Sequence, residues 1–151
     1  MALEHGAYVT LAVVSFVSAI FPVVNAELAM VGLVAALPNP HILPLVAVAT
    51  SAQMLGKSMM YWAGRRGGRL ASGRYGQAME RWERRFRGSA VGVGVLVFVS
   101  SVSGLPPFYL ISTLAGAFKT SFASFLIVGS AGRFVHFTAL GLFPAAIKSL
   151  A

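Results

Sequence analysis

Cysteine is absent from all 151 residues, which excludes disulfides, thiolate metal sites and thiol nucleophiles. Charge is scarce as well: 11% of residues are charged and four are acidic, against about 25% charged in an ordinary soluble domain. No carboxylate pair falls at ligand spacing, and His5, His41 and His136 lie far apart, so neither a metal nor another cofactor is expected. No nucleophile–base pairing is visible, and the chain is not read as an enzyme. What fills it instead is apolar: 57% of residues are hydrophobic.

The apolar residues fall into four blocks, Ala7–Leu37, Ile42–Ala63, Ala90–Phe118 and Phe122–Ile147. A hydrocarbon slab of ~30 Å takes ~20 helical residues to cross, and each block is long enough. A soluble helical bundle is excluded because its helices need a polar face, which the blocks lack. The expectation is an all-α integral membrane protein. Tyr8–Ile20 resembles the apolar core of a signal peptide, but the residues before it carry Glu4 and no Lys or Arg, so a retained membrane segment is expected.

Blocks one and three are interrupted. Pro22, Asn25 and Glu27 split the first into Tyr8–Ile20 and Ala26–Leu37, and Pro38-Asn39-Pro40 closes it. Ser103-Gly104-Leu105-Pro106-Pro107 splits the third into Val91–Val102 and Phe108–Phe118. Proline removes a helix donor and clashes with the preceding turn. One constant offset aligns Pro22 with Pro106 and Gly32 with Gly116, and each broken block precedes a fuller span bearing Gly-Arg, Gly64-Arg65 or Gly132-Arg133. The pattern reads as an internal duplication: residues 7–64, a linker over 65–89, and residues 90–148.

If the broken blocks are re-entrant hairpins, the halves are inverted copies. That architecture puts transporter sites near the bilayer midplane, at the broken helices. The rival reading makes blocks one and three long, kinked spans, although about thirty helical residues reach ~45 Å, more than a bilayer needs. Hairpins are the favoured expectation.

Net charge is +8, and eight of the twelve basic residues lie between Arg65 and Arg87. Between two membrane blocks this marks a cytoplasmic loop by the positive-inside rule, rather than a nucleic-acid surface. Within it Tyr75, Met79, Trp82 and Phe86 recur at helical spacing, with Arg74, Arg81, Arg84, Arg85 and Arg87 on other positions and Gly88 as a stop. Two readings stay open for this amphipathic helix. It lies on the inner leaflet, with these arginines and Trp82 on anionic lipid, or it packs on the protein and enforces topology.

Glu27 is the leading functional candidate, since an intramembrane carboxylate implies function by default and is a plausible proton carrier. Its structural alternatives are an ion pair or a cap on the following half-helix. Arg133 is an arginine inside a span, and its planar fork suits phosphate. His136, three residues on, shares its helix face. Arg133 is also the natural neutralising partner of Glu27. Gln53, Lys57 and Tyr61 form a stripe on block two, where snorkelling accounts for Lys57. Asn25, Lys57, Tyr61, Ser103 and Pro106 are placed along a substrate path. Gly56, Gly64 and Gly68, with Gly92, Gly94 and the Ser100–Ser103 run, are assigned to close packing.

Three stretches resemble the DedA family, also called VTT or SNARE-associated membrane proteins. They are Phe21–Glu27; Gly56-Lys57 through Tyr61, Gly64-Arg65 and Gly68; and Gly104-Leu105-Pro106-Pro107 through Ala115-Gly116, Phe125 and Gly132-Arg133. Together they cover most of Phe21–Phe137. The resemblance implies a bacterial inner-membrane protein with two re-entrant hairpins, linked to translocation of polyprenyl phosphate, to lipid scrambling and to proton-dependent homeostasis. Lys57 stands where the family usually has Asp or Asn, serines and aromatics replace arginines flanking Pro106, and His136 replaces another. Phosphate-clamping roles tied to those arginines do not carry over.

The resulting expectation is a lipid flippase or scramblase, its partners membrane lipids and a second copy that shields the polar apices. The alternative is a non-transporting protein that organises the bilayer through its wedges and surface helix.

Overall fold

The computed structural model describes residues 2–67 and 73–150, so Gly68, expected to permit helix packing, lies outside the described residues. Among them every regular element is helical: α1 (Ala2–Ile20), α2 (Ala26–Ala36), α3 (Ile42–Arg65), α4 (Gly73–Phe86), α5 (Ala90–Ser103), α6 (Phe108–Ala117) and α7 (Phe122–Leu150). Local chemistry sets the boundaries. Asn25 caps α2 through its side chain, Ser89 caps α5 by accepting from Gly92 N at 3.0 Å, and Gly104 ends α5 at φ 76°, a left-handed conformation that suits glycine. Gly88, at φ 82°, follows α4 in the same way. The first helix begins earlier than the apolar pattern, at Ala2 rather than Tyr8, because Glu4 and His5 tolerate a helical backbone although they are polar.

Two helices, Ile42–Arg65 and Phe122–Pro144, are long and apolar enough to cross a membrane. Of the others, α1 packs against α2 and α5 against α6, and α4 lies against α5 and α6. The chain packs as two compact units, Met1–Gly56 with Arg133–Ala151, and Lys57–Gly132, whose boundaries fall inside α3 and α7.

In the first unit Leu11, Met30, Val34, Leu45, Val46 and Phe137 form a buried cluster. Leu11 sits with Leu45 and Val46 while Ser18 bonds Gln53, so α1 and α3 run parallel. A Cβ on Gly56 would strike Ala19 Cβ and the Phe16 carbonyl, and one on Gly141 would meet Met30 and Ile42. The second unit also has close helix contacts at glycine. A Cβ on Gly132 would strike Ser101 and the Phe98 carbonyl, and one on Gly64 the Thr113 backbone. Gly56 thus packs closely on α1 and Gly132 on α5, while Gly64 packs on α6 and Gly141 meets Met30 of α2. Gly64 and Gly132, aligned in the sequence, therefore pack on different helices. Gly94 has nothing within 4 Å of its would-be Cβ, so its expected packing role is not observed.

Polar side chains are buried beside the hydrophobic core, and large apolar ones lie on the outside. Buried side chains include Ser15, Thr50, Gln53, Lys57, Ser100, Thr113 and Arg133, while Val9, Leu28, Leu43, Leu55, Ile127 and Phe143 are each more than 60% exposed. An aqueous protein rarely leaves so much apolar surface open.

Candidate functional site

The break after α1 delivers Glu27 to the first turn of α2. Phe21–Val24 leave the helix, and Asn25 Oδ1 accepts from the amides of Glu27 at 2.9 Å and Leu28 at 3.1 Å. The cap is therefore Asn25 rather than Glu27. Asn25, expected on a substrate path, uses its carboxamide oxygen structurally. Glu27 still benefits from the helix end, where exposed N–H dipoles favour negative charge.

Two side chains from α7 meet this carboxylate. Arg133 Nη1 lies 3.7 Å from Glu27 Oε1, and His136 Nε2 lies 3.1 Å from the same oxygen. Both reach it because residues three apart share a helix face. The expected Glu27–Arg133 pair is thus present, and His136 is the nearer partner. Burial is graded: the Arg133 side chain is 5% exposed, His136 15% and Glu27 40%. The carboxylate caps a buried guanidinium and leaves its own outer side open. Beneath them Phe137 is fully buried and contacts the His136 ring edge-on at 5.6 Å.

A second polar group in the same unit follows the seam between α1 and α3. Ser18 Oγ donates to the Ser15 carbonyl at 2.8 Å and accepts from Gln53 Nε2 at 3.3 Å. The hydroxyls of Ser15 and Thr50 and the Gln53 carbonyl oxygen are buried with no hydrogen-bond partner. Sequence reasoning missed Ser15, Ser18 and Thr50. The available signal was the Ser15/Ser18 spacing, which puts two hydroxyls on one face of an apolar helix.

In the other unit Lys57 is 3% exposed, its ammonium 5.7 Å from the Phe108 ring centre and 5.8 Å from that of Tyr109. The snorkelling expectation is corrected: the side chain turns into the packing of α6, where aromatic faces attract a cation. Tyr61 is structural. Its hydroxyl donates to the Thr120 carbonyl and accepts from Arg65 Nη1 at 2.9 Å, and its ring lies 5.1 Å from those of Phe122 and Phe125. Ser103 is exposed and ties its own turn, accepting from Leu105 N at 3.1 Å. The Pro106 carbonyl accepts from Ser100. These residues, proposed for a path from sequence, are not gathered with Glu27, Arg133 and His136 in one unit.

Helix α4 packs on α5 and α6. Trp82 stacks on Phe86 at 5.6 Å, and Phe86 abuts Gly92. Arg74, Arg81, Arg84, Arg85 and Arg87 are all exposed. The helix therefore seats one face on protein and presents its arginines outward. The side chains of Tyr75 and Met79 lie outside the described residues.

Among the described residues no group of three or more His, Asp or Glu is arranged to hold a metal ion. No family model, curated protein or solved structure matches this chain.

Proposed function

We propose that this chain is a small membrane lipid transporter that moves a phosphate-headgroup lipid, such as polyprenyl phosphate or a phospholipid, across a bacterial inner membrane. The resemblance to the DedA family suggested the substrate class. The observation that carries the reading is Arg133, a cation buried in an apolar helix and covered by an acid that is itself 40% exposed. Intramembrane charges are costly and belong by default to pathways and relays. The exposed apolar side chains and the two long apolar helices support the bilayer setting. At 11 and 10 residues, α2 and α6 reach only about 16 and 15 Å. Neither crosses ~30 Å of hydrocarbon alone, which favours two re-entrant hairpins in an inverted repeat with the arginine-rich loop cytoplasmic.

In this mechanism Glu27 acts as a cover on Arg133. Protonation of Glu27, with His136 as the adjacent donor, weakens the ion pair and frees the guanidinium. The planar fork then takes two phosphate oxygens. Release follows when Glu27 loses its proton and competes again for Arg133.

The test is transfer of headgroup-labelled phospholipid and polyprenyl phosphate in liposomes containing the purified protein. Arg133→Ala is expected to lose about ten- to a hundredfold in rate, the equivalent of a charge-assisted contact of ~1.5–3 kcal/mol. Undiminished transfer removes Arg133 from the mechanism.

The exposed arginines of α4 favour a second reading, a non-transporting protein that organises the bilayer through its broken helices and surface helix. Replacing Arg81, Arg84 and Arg85 with Gln separates the two: transfer survives under the first reading, and membrane organisation fails under the second.

A further inference from the structure

Between α4 and the second broken helix pair lies a cavity of about 220 Å³. Its wall is divided by chemistry. Pro106 and Leu114 contribute from the break and α6, Ala78 and Trp82 from α4, and the charged residues in the wall are Arg74 and Arg81. Both arginines are exposed, so their guanidinium groups reach the surface while the depth is apolar.

Volume and chemistry together select an occupant. The space equals roughly seven waters at ~30 Å³ each, but apolar walls give water too few partners, and such cavities take apolar guests. It is smaller than the ~300–1,000 Å³ of a pocket that encloses a whole small molecule, and suits one stretch of hydrocarbon chain. Two guanidiniums beside that chain call for an anion, and their planar forks match phosphate. A chain joined to a phosphate meets both demands.

We propose that this cavity holds an acyl chain of an anionic glycerophospholipid, with the phosphate on Arg74 and Arg81. The bound lipid fastens α4 over the Pro106-Pro107 break. The site rests on the membrane reading of the chain but not on lipid transport by Glu27 and Arg133.

The experiment is retention of added phosphatidylglycerol by the detergent-purified protein, measured by native mass spectrometry, with phosphatidylcholine as comparison. Wild type retains one long-chain phosphatidylglycerol in preference to phosphatidylcholine. Arg74→Gln with Arg81→Gln loses about tenfold in retention. Arg84→Gln with Arg87→Gln, an equal change of charge outside the cavity wall, stays within about twofold of wild type. Ala78→Phe, which fills the space without altering charge, also loses retention. Because that variant risks misfolding, a short-chain phosphatidylglycerol offered to wild type supplies the same test without mutation and binds poorly. Equal losses in both arginine pairs, or tight binding of the short-chain lipid, overturn the site in favour of diffuse surface attraction. A chain that stays soluble without detergent and retains no lipid overturns the membrane reading together with it. Undiminished lipid transfer by Arg133→Ala, by contrast, defeats the transport mechanism and leaves this retention pattern intact.

Discussion

His136 Nε2 stands 3.1 Å from Glu27 Oε1, on an oxygen that Arg133 also approaches at 3.7 Å. One carboxylate oxygen thus serves both an arginine and a histidine. The consequence is that the two side chains are coupled through Glu27, and removing any member changes what the others face.

That coupling is measurable by a double-mutant cycle. Glu27→Gln and Arg133→Gln should each lower thermal stability in detergent, because each removes one side of the Glu27–Arg133 ion pair. The double variant should be less harmed than the sum of the two, with a coupling of ~1 kcal/mol, the range seen for contacting residues. The estimate is kept low because Glu27 is 40% exposed and its pairing is partly screened. Strict additivity would dissolve the pair.

Arg133→Lys retains the charge and loses the planar fork. Transfer is expected to fall about tenfold relative to wild type, the loss of one of two charge-assisted hydrogen bonds. Lys57, buried beside Gly56, already lacks a fork. Lys57→Arg is therefore not expected to rescue Arg133→Lys. Rescue would mean that the two cations are interchangeable.

Glycine scanning separates close packing from free surface. Gly64→Ala and Gly116→Ala place a methyl against the backbone at Thr113 and Tyr61, where no side chain can yield. Each should destabilise by ~1–3 kcal/mol, the usual result of overpacking. Gly32→Ala and Gly94→Ala meet nothing within 4 Å and should stabilise by up to ~1 kcal/mol through helix propensity. Thermal unfolding of the four variants decides it, and a uniform response would contradict the packing described.

Thr50→Val tests the polar seam. The Thr50 hydroxyl is buried without a hydrogen-bond partner, and a near-isosteric methyl relieves that cost, so stability should rise by ~1 kcal/mol. A clear fall in the unfolding midpoint would show that the hydroxyl is engaged after all.

Much of the architecture was legible because it is local. Pro22 and Pro106 fall at the two helix breaks, although Pro144 is carried inside α7, Gly104 and Gly88 end helices, and the spacing of Trp82 and Phe86 with arginines between them specifies an amphipathic turn. The Glu27–Arg133 pair was also within reach, since a carboxylate and a guanidinium placed in apolar helices need each other. The nearer approach of His136 was not, because it depends on how α7 is rotated against α2. Lys57 was misjudged for a similar reason. A long cation near a helix end snorkels by default, and only the aromatic pair at the start of α6 gives it an inward place.

The sequence by itself determined an apolar, all-helical chain with two broken segments and a basic surface helix, since hydrophobic runs, prolines and charge clusters act on the residues that carry them. Tertiary structure alone decided that Gly56 packs on α1 and Gly132 on α5, that hydroxyls line the α1–α3 seam, and that α4 closes over a cavity at Pro106. Those outcomes depend on helix register and rotation, which are set by the fit of distant surfaces that no single segment encodes.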